Sequence, residues 1–527
     1  MERLSSRGLA VLASAAVLSG CATVPPQRGA EGVNALVTAR GERGVTWPAE
    51  RGAGPESQQS AGSEQLAGGV MPETGPLSRA DAVRYAFMHN PRVQQLYAEL
   101  GIASANVLEA GRFANPRFGY VGLAPEGGGF SQITRSVSVD FTNALLLPSR
   151  ARLARGELER TRELVADALL DLATRVEAAW YAAVSARQVA ELRELAASAG
   201  EASGEMARRL YEAGNVSPKA LALEQATSTE QRVAAARAKA DAVRARTALA
   251  EAMGVSARHG WAVPARLPAI ANDSSNDPGN DSAGDKRAVT DEAALVRQAQ
   301  TMRLDLSAAR HAVATSEDLA RVTRRWRWVG DVEGGYEWES DTDGSRLRGP
   351  SLSLGLPIFN QNQGGVLRAD ARAEAARARL AEMETRVRND VARGLDRMAA
   401  AREVARAYRT ALLPQHEAVV NRTQEEHNYM LVGVFELLQA KRAQLDAYQA
   451  YLEAVRDYWV ARAELRRAVG GNLPGDESIG TSDPLTPGFD ELLAPPSPGQ
   501  TGQAPGEGPR SPPLEQHTEH EHHGETP

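Results

Sequence analysis

The chain has 527 residues, enough for several ordinary domains, and its formal charge of −7 argues against a general nucleic-acid binder. Aromatic residues make up only 5 %, and no apolar run beyond the first twenty residues is long enough for a transmembrane helix. Cys21 is the single cysteine, which excludes a disulfide framework.

Residues 1–20 read as a signal peptide, with Arg3 and Arg7 before a short apolar core over 8–18. Residues 21–76 are rich in Gly, Pro, Ser, Gln and Glu without periodicity, the composition of a flexible linker. Structure is expected from Leu77, with Ser78 as N-cap of a first helix. Asn90 and Pro91 break that helix, and a second stretch runs to Arg112.

Two candidate strands follow. Residues 117–121 lead into the glycines 127–129. Then Gln132, Thr134, Ser136, Ser138 and Asp140 alternate with Ile133, Val137, Val139 and Phe141. Period two puts these sets on opposite faces of a strand. From about Pro148 to Tyr211 the pattern is helical over on the order of 95 Å, a length that demands partners alongside. Its apolar stripe is Leu158, Leu164, Leu169, Leu172, Val176, Trp180, Val184 and Val189. Residues 214–217 reverse the chain, Pro218 starts the return helix, and Gly254 ends it. Residues 255–290 read as a polar connection.

The order then repeats. Residues 291–300 correspond to 78–87, and Arg303 stands where Asn90 stood. A second strand pair spans 326–356. Trp326, Trp328, Val332, Tyr336 and Trp338 share one parity; Arg327, Asp331, Glu333, Glu337 and Glu339 share the other. Leu352, Leu354 and Leu356 alternate likewise in the partner strand. A long helix from about Gly365 to Val432 should bend at Leu413 and Pro414, Gly433 reverses the chain, and a last helix ends near Gly470. Residues 77–254 and 291–470 are thus two copies of one helix–strand–strand–long helix–helix unit, in a mainly α chain with a small β part. Residues 471–527 return to Pro, Gly, Ser and acidic composition and end in a histidine-rich tail.

An amphipathic hairpin with aromatics near the ends of its apolar face suits a membrane strand pair with an aromatic girdle. Four strands cannot close a barrel, and open edges are not tolerated in lipid, so several chains would have to build it together. Enzyme chemistry finds no support: His89, His259, His311, His416 and His427 are scattered, and neither a phosphate-binding glycine loop nor a zinc-protease motif occurs.

The duplication, the strand pairs, Leu413–Pro414 followed by Tyr429 and Gly433, and the two helix tips at 209–217 and 428–440 together resemble the TolC-like outer-membrane efflux proteins over residues 77–470. The tetrapeptide 18–21 resembles a lipoprotein cleavage box. It implies diacylation of Cys21 as the only covalent group and no other cofactor, and Ala22 leans toward the outer membrane. The resemblance implies a homotrimer whose chains pool four strands each into a shared twelve-stranded transmembrane β-barrel, above an α-helical barrel that extends into the periplasm. A periplasmic adaptor protein and an inner-membrane pump would be its partners.

Residue by residue, it places Glu436 and Gln439 at a pore ring that has lost one carboxylate. Adaptor contacts fall on Gly214, Asn215, Val216 and Ser217, and on Gly433, Val434 and Phe435, with Val216 and Phe435 as bare apolar hints. Arg327, Asp331, Glu333 and Glu337 would line the barrel lumen. His517, His520, His522 and His523 suit a transition metal, which with a cation-friendly lumen leans the reading toward metal export. Multidrug efflux and type I protein secretion on the same fold stay open, as does a periplasmic coiled-coil or metal-buffering lipoprotein without a pore.

Overall fold

The computed structural model describes residues 30–42, 75–124, 126–127, 131–257, 260–270, 291–473 and 485–487. Cys21 and the four tail histidines lie outside them. Every element described belongs to the unit Met1–Leu485; Thr486 and Pro487 belong to a second, Thr486–Pro527.

Along the chain come α1 (Ala30–Thr38), α2 (Arg79–His89), α3 (Pro91–Ala110), β1 (Arg117–Leu123), β2 (Gln132–Asp140), α4 (Phe141–Glu212) and α5 (Pro218–Met253). The second half gives α6 (Glu292–Met302), α7 (Leu304–Trp326), β3 (Val332–Ser340), β4 (Arg346–Leu354), α8 (Gln363–Ala407), a π-helical turn (Tyr408–Leu412), α9 (Leu413–Asn428) and α10 (Val434–Val469). The repeated order expected from the sequence is therefore present.

Local chemistry sets most boundaries. The Ser78 hydroxyl accepts from the Asp81 amide at 3.1 Å and Asn90 Oδ1 from the Arg92 amide at 2.9 Å, each satisfying a donor that a helix start leaves free. Pro91 and Pro218 sit in first turns, where a missing N–H costs nothing. Asn90 (φ −69°, ψ 122°) and Arg303 (φ −68°, ψ 124°) make the same break in the two repeats. Each faces the left-handed glycine that ends its repeat's last helix, Gly254 (φ 76°) or Gly470 (φ 81°). A Cβ on Gly254 would come within 2.7 Å of Asn90 Cα, and one on Gly470 within 3.0 Å of the Arg303 amide nitrogen. The duplication thus extends to a backbone contact that only glycine permits.

Several sequence expectations need correction. The stretch 30–38 is a helix, with Val33 and Val37 buried against α4, where composition had suggested only linker. Two valines four apart are too little periodicity to notice without the surface that buries them. The α4 helix starts at Phe141, capped by Asp140, and carries Pro148 inside it. At ~1.5 Å per residue its 72 residues run about 108 Å, so a single lost hydrogen bond near one end is outweighed. Leu164 is exposed while Val165 and Ala166 are buried, a one-residue drift of the apolar stripe. The described part of the inter-repeat connection is apolar at its anchor points: Trp261, Val263, Leu267 and Ile270 are buried.

Two of the buried indoles anchor chain segments to the bundle, Trp180 the lead-in to α2 and Trp459 the inter-repeat connection. Trp180 Nε1 donates to the Leu77 carbonyl and Trp459 Nε1 to that of Pro268, each at 2.9 Å. Tyr181 stacks on Trp459 (centroids 5.5 Å apart, 13° between planes), joining α4 to α10 across the repeats. The bend at Pro414 takes the form of the π turn. Leu413 N–H reaches back to Tyr408 O, because the proline ring crowds the Thr410 carbonyl and offers it no donor.

Candidate functional site

Two regions carry the functional expectations: the sheet at one end of the long helices and the tips at the other. The four strands form one antiparallel sheet in the order β1-β2-β3-β4, so β2 and β3 pair across the repeats and β1 and β4 are open edges.

Its register sorts the side chains into two faces. On the apolar face stand Phe118 and Tyr120, Val137 and Val139, Tyr336 and Trp338, Leu352 and Leu354. Most of them are exposed, an arrangement water penalises. On the polar face Glu333 meets Asp140 and Ser353, Glu337 meets Ser136 and Gly349, and Glu339 meets Thr134 and Leu347. Ser138 Oγ donates to Glu333 at 2.6 Å, Arg117 lies 3.9 Å from the same carboxylate, and Gln132 Nε2 donates to Glu339. Of the expected lumen residues, Glu333 and Glu337 stand on this face, together with Gln132 and Ser138 as alternation in β2 implies; Arg117 joins them by pairing with Ser138, which alternation in one strand cannot reveal.

Arg327 and Asp331 do not. The α7 helix runs through Trp326, Arg327 stays helical, and β3 begins only at Val332. Arg327 lies over the Trp328 ring at 4.4 Å. Apparent alternation across 326–331 is a helix end followed by a turn, closed where Gly355 N–H donates to the Asp331 carbonyl at 2.8 Å. Gly330 and Gly355 cross there so closely that a Cβ on Gly330 would strike the Gly355 carbonyl.

At the first tip Gly214 adopts φ 77° and Ser217 caps α5, accepting from the Ala220 amide at 3.2 Å. Gly214, Asn215 and Ser217 are exposed and Val216 is half-buried. Hydrogen bonds from Arg208 and then Arg209 hold the nearby Glu205 carboxyl down at about 2. At the second tip the left-handed residue is Met430 (φ 59°); Gly433 has an ordinary φ of −77°, so that turn does not need its glycine. Val434 and Phe435 are half-buried. The bare apolar surface is instead Tyr429, Met430 and Leu431, at 79, 92 and 74 % exposure. Their run of three apolar residues after a polar helix was the available signal. Glu436 and Gln439 are exposed in the first turns of α10.

Just behind the tips the repeats are tied together. Glu224 is buried on α5 and accepts from Ser203 Oγ at 2.8 Å and Arg442 of α10 at 2.9 Å. Burial lowers the Lys441 ammonium pKa against the pull of Glu417. Among the described residues no group of His, Cys, Asp or Glu is placed to hold a metal ion. No helix among them is long and apolar enough to cross a membrane.

Comparison with known proteins matches part of the chain to a family and the whole arrangement to a fold. Residues 295–471 match the outer membrane efflux protein family. Among solved structures the chain is similar to VceC of Vibrio cholerae at 16 % identity, over 75 % of this chain and 96 % of that one (TM-score 0.58). It is similar to the CmeC outer membrane channel of Campylobacter jejuni at 12 % identity, over 78 % and 92 % (TM-score 0.60). CusC, described by its transmembrane channel formation, aligns at 14 % identity over 75 % and 93 % (TM-score 0.59). At these identities the structural likeness establishes the fold. No curated protein matches.

Proposed function

We propose that this chain, which carries the outer membrane efflux protein domain and the fold of the TolC-like channels, is the outer-membrane duct of a tripartite efflux system. The observation that carries this reading is the sheet, with its exposed apolar face, polar opposite face and two open edges. In lipid each unpaired edge group would cost several kcal/mol, so further copies must continue the sheet until it closes. Three copies give twelve strands, within the even-numbered range of such barrels. The duplicated long helices then reach on the order of 100 Å below the barrel. That length suits a periplasmic tunnel meeting an adaptor protein, and through it an inner-membrane pump, at the tips 214–217 and 433–435. The exposed Tyr429, Met430 and Leu431 support such a contact. Lipid on Cys21 would hold the N-terminus at the membrane surface. The work is conduction, with no bond made or broken.

We read the cargo as cationic, leaning to heavy metals. Glu333, Glu337 and Glu339 give the polar face a negative character, and Glu436 would repeat around the narrow end. A strain lacking the gene, compared with its parent for tolerance to copper, silver, zinc, cobalt, cadmium and a panel of drugs, tests this. Sensitivity confined to metals is expected. Sensitivity confined to drugs keeps the duct and removes the metal reading, and a protein found outside the outer membrane removes both.

A further inference from the structure

The apolar face of the sheet is not apolar throughout. Its register runs in rows across the strands. On the helix side the rows are Val332–Leu354, then Val139–Gly334–Leu352, then Phe118–Val137–Tyr336–Pro350. None carries a charge. The next row toward the hairpin loops is Tyr120–Arg135–Trp338–Arg348, and beyond it comes Gly122–Ile133–Ser340–Arg346. Three guanidinium groups therefore project from one face within two adjacent rows, with Trp338 between two of them. By strand spacing, Arg346 and Arg348 lie about 7 Å apart along β4, and Arg135 about 10 Å away across β3.

These arginines are exposed, and none makes a side-chain hydrogen bond or ion pair among the described residues. The contrast with the other face is direct, since Arg117 there faces Glu333. The two aspartates of the β3–β4 loop turn to their own backbone: Asp341 accepts from the Thr342 amide at 2.6 Å and Asp343 from the Ser345 amide at 2.7 Å.

We infer that the Arg135, Arg346 and Arg348 cluster at the loop end of the apolar face is a binding site for the phosphate headgroup of an outer-leaflet lipid. The inference rests on the reading of this face as lipid-facing. A charge on the lipid side of a barrel is tolerated near the interface and penalised at mid-depth, so these rows belong at headgroup level. Tyr120 and Trp338 in the same row have the amphipathic character of that zone. A guanidinium presents a planar fork of donors that matches a phosphate, and three without acidic partners form a concentrated anion site. A lipid is favoured over free phosphate because the charged rows continue directly into bare apolar rows. Acyl chains can lie along Val137, Tyr336 and Leu352 while the phosphate meets the arginines.

The test uses the full-length chain in two steps. Wild type and the triple variant Arg135→Gln, Arg346→Gln, Arg348→Gln are first reconstituted in phosphatidylcholine vesicles and scored by flotation and resistance to alkaline extraction. Failure of the wild type to insert would remove the membrane reading itself. The detergent-solubilised proteins are then titrated with lipid A, which bears two phosphates, and with inorganic phosphate alone, and bound species are counted by native mass spectrometry. The triple variant should insert as wild type does but bind lipid A at least about tenfold more weakly. Arg117→Gln, on the opposite face, should bind it as wild type does, and millimolar inorganic phosphate should not displace it. Equal lipid A binding by wild type and triple variant overturns the inference. So does displacement by inorganic phosphate, which would make the cluster a free-anion site.

Discussion

Arg303 offers the most stringent test of how the bundle is held together. Its side chain is only 7 % exposed and sits at the break between α6 and α7. It donates to Asp305 at 3.0 and 2.6 Å, to Asp390 at 3.1 Å and to the Ala468 carbonyl at 3.3 Å, so one guanidinium joins α7, α8 and the end of α10. Arg303→Met keeps the apolar stem and removes the charge. It leaves Asp305 and Asp390, side chains 16 and 23 % exposed, without their main partner. Breaking a fully buried pair costs about 3–5 kcal/mol, and partial solvation of the two carboxylates lowers the expectation to about 2–4 kcal/mol.

The pH dependence has a definite sign. Burial alone would raise the Asp305 pKa, but the hydrogen bonds and charge of Arg303 bring it below its ordinary value. A depressed carboxylate contributes stability above its unfolded pKa and loses it as pH falls through the folded one. The gap between wild type and Arg303→Met should therefore be largest near neutral pH and shrink in the acid range. Helical circular dichroism on heating at one scan rate, from pH 7 down to about pH 2 so that the series passes below the ordinary carboxylate range, reads both quantities, and the fixed rate matters because unfolding of a large assembly is often irreversible. Equal midpoints at neutral pH, or a gap that widens in acid, would refute the reasoning.

Gly470→Ala should lower the same midpoint, because φ 81° costs a side chain about 1–2 kcal/mol and the new Cβ would press on the Arg303 backbone; an unchanged midpoint would mean the break relaxes freely. Glu436→Gln should reduce cation selectivity in planar bilayers, read as a smaller reversal potential in a salt gradient, and an unchanged potential removes the residue from the pore ring. Cys21→Ser should abolish lipid labelling while leaving the barrel inserted, since acyl chains anchor a protein but do not make it span; loss of insertion would make the lipid part of assembly.

Much of the architecture was legible because its signals are local. Ser78, Asn90–Pro91, Gly214 to Pro218 and Gly254 announce helix ends through hydrogen-bonding and φ requirements that one side chain satisfies. Alternation in 132–140 and 332–339 assigned the sheet faces correctly wherever the chain is a strand. Failures came where identity depends on a distant partner. Val33 and Val37 become core only because α4 lies beside them, and the anchors Trp261 and Leu267 only because the bundle accepts them. Arg327 and Asp331 kept strand parity while lying in a helix end and a turn, since six residues fit either period. Gly433 looked obligatory, yet the left-handed conformation fell on Met430, a cost unseen in composition. The arginines at 135, 346 and 348 are unremarkable in sequence and form a cluster only through the pairing of three strands.

Closure of the sheet by neighbouring copies is the claim on which the duct depends. Cysteines placed pairwise along the open edges, Phe118 to Val121 of β1 and Leu347 to Leu352 of β4, can be oxidised in outer-membrane fractions of cells and resolved on denaturing gels. Cys21 is the chain's only native cysteine, so a Cys21→Ser background leaves no competing thiol. A barrel of three chains predicts cross-linked ladders that stop at the trimer for pairs in register. Monomers at every register, or ladders that continue beyond three, would contradict it.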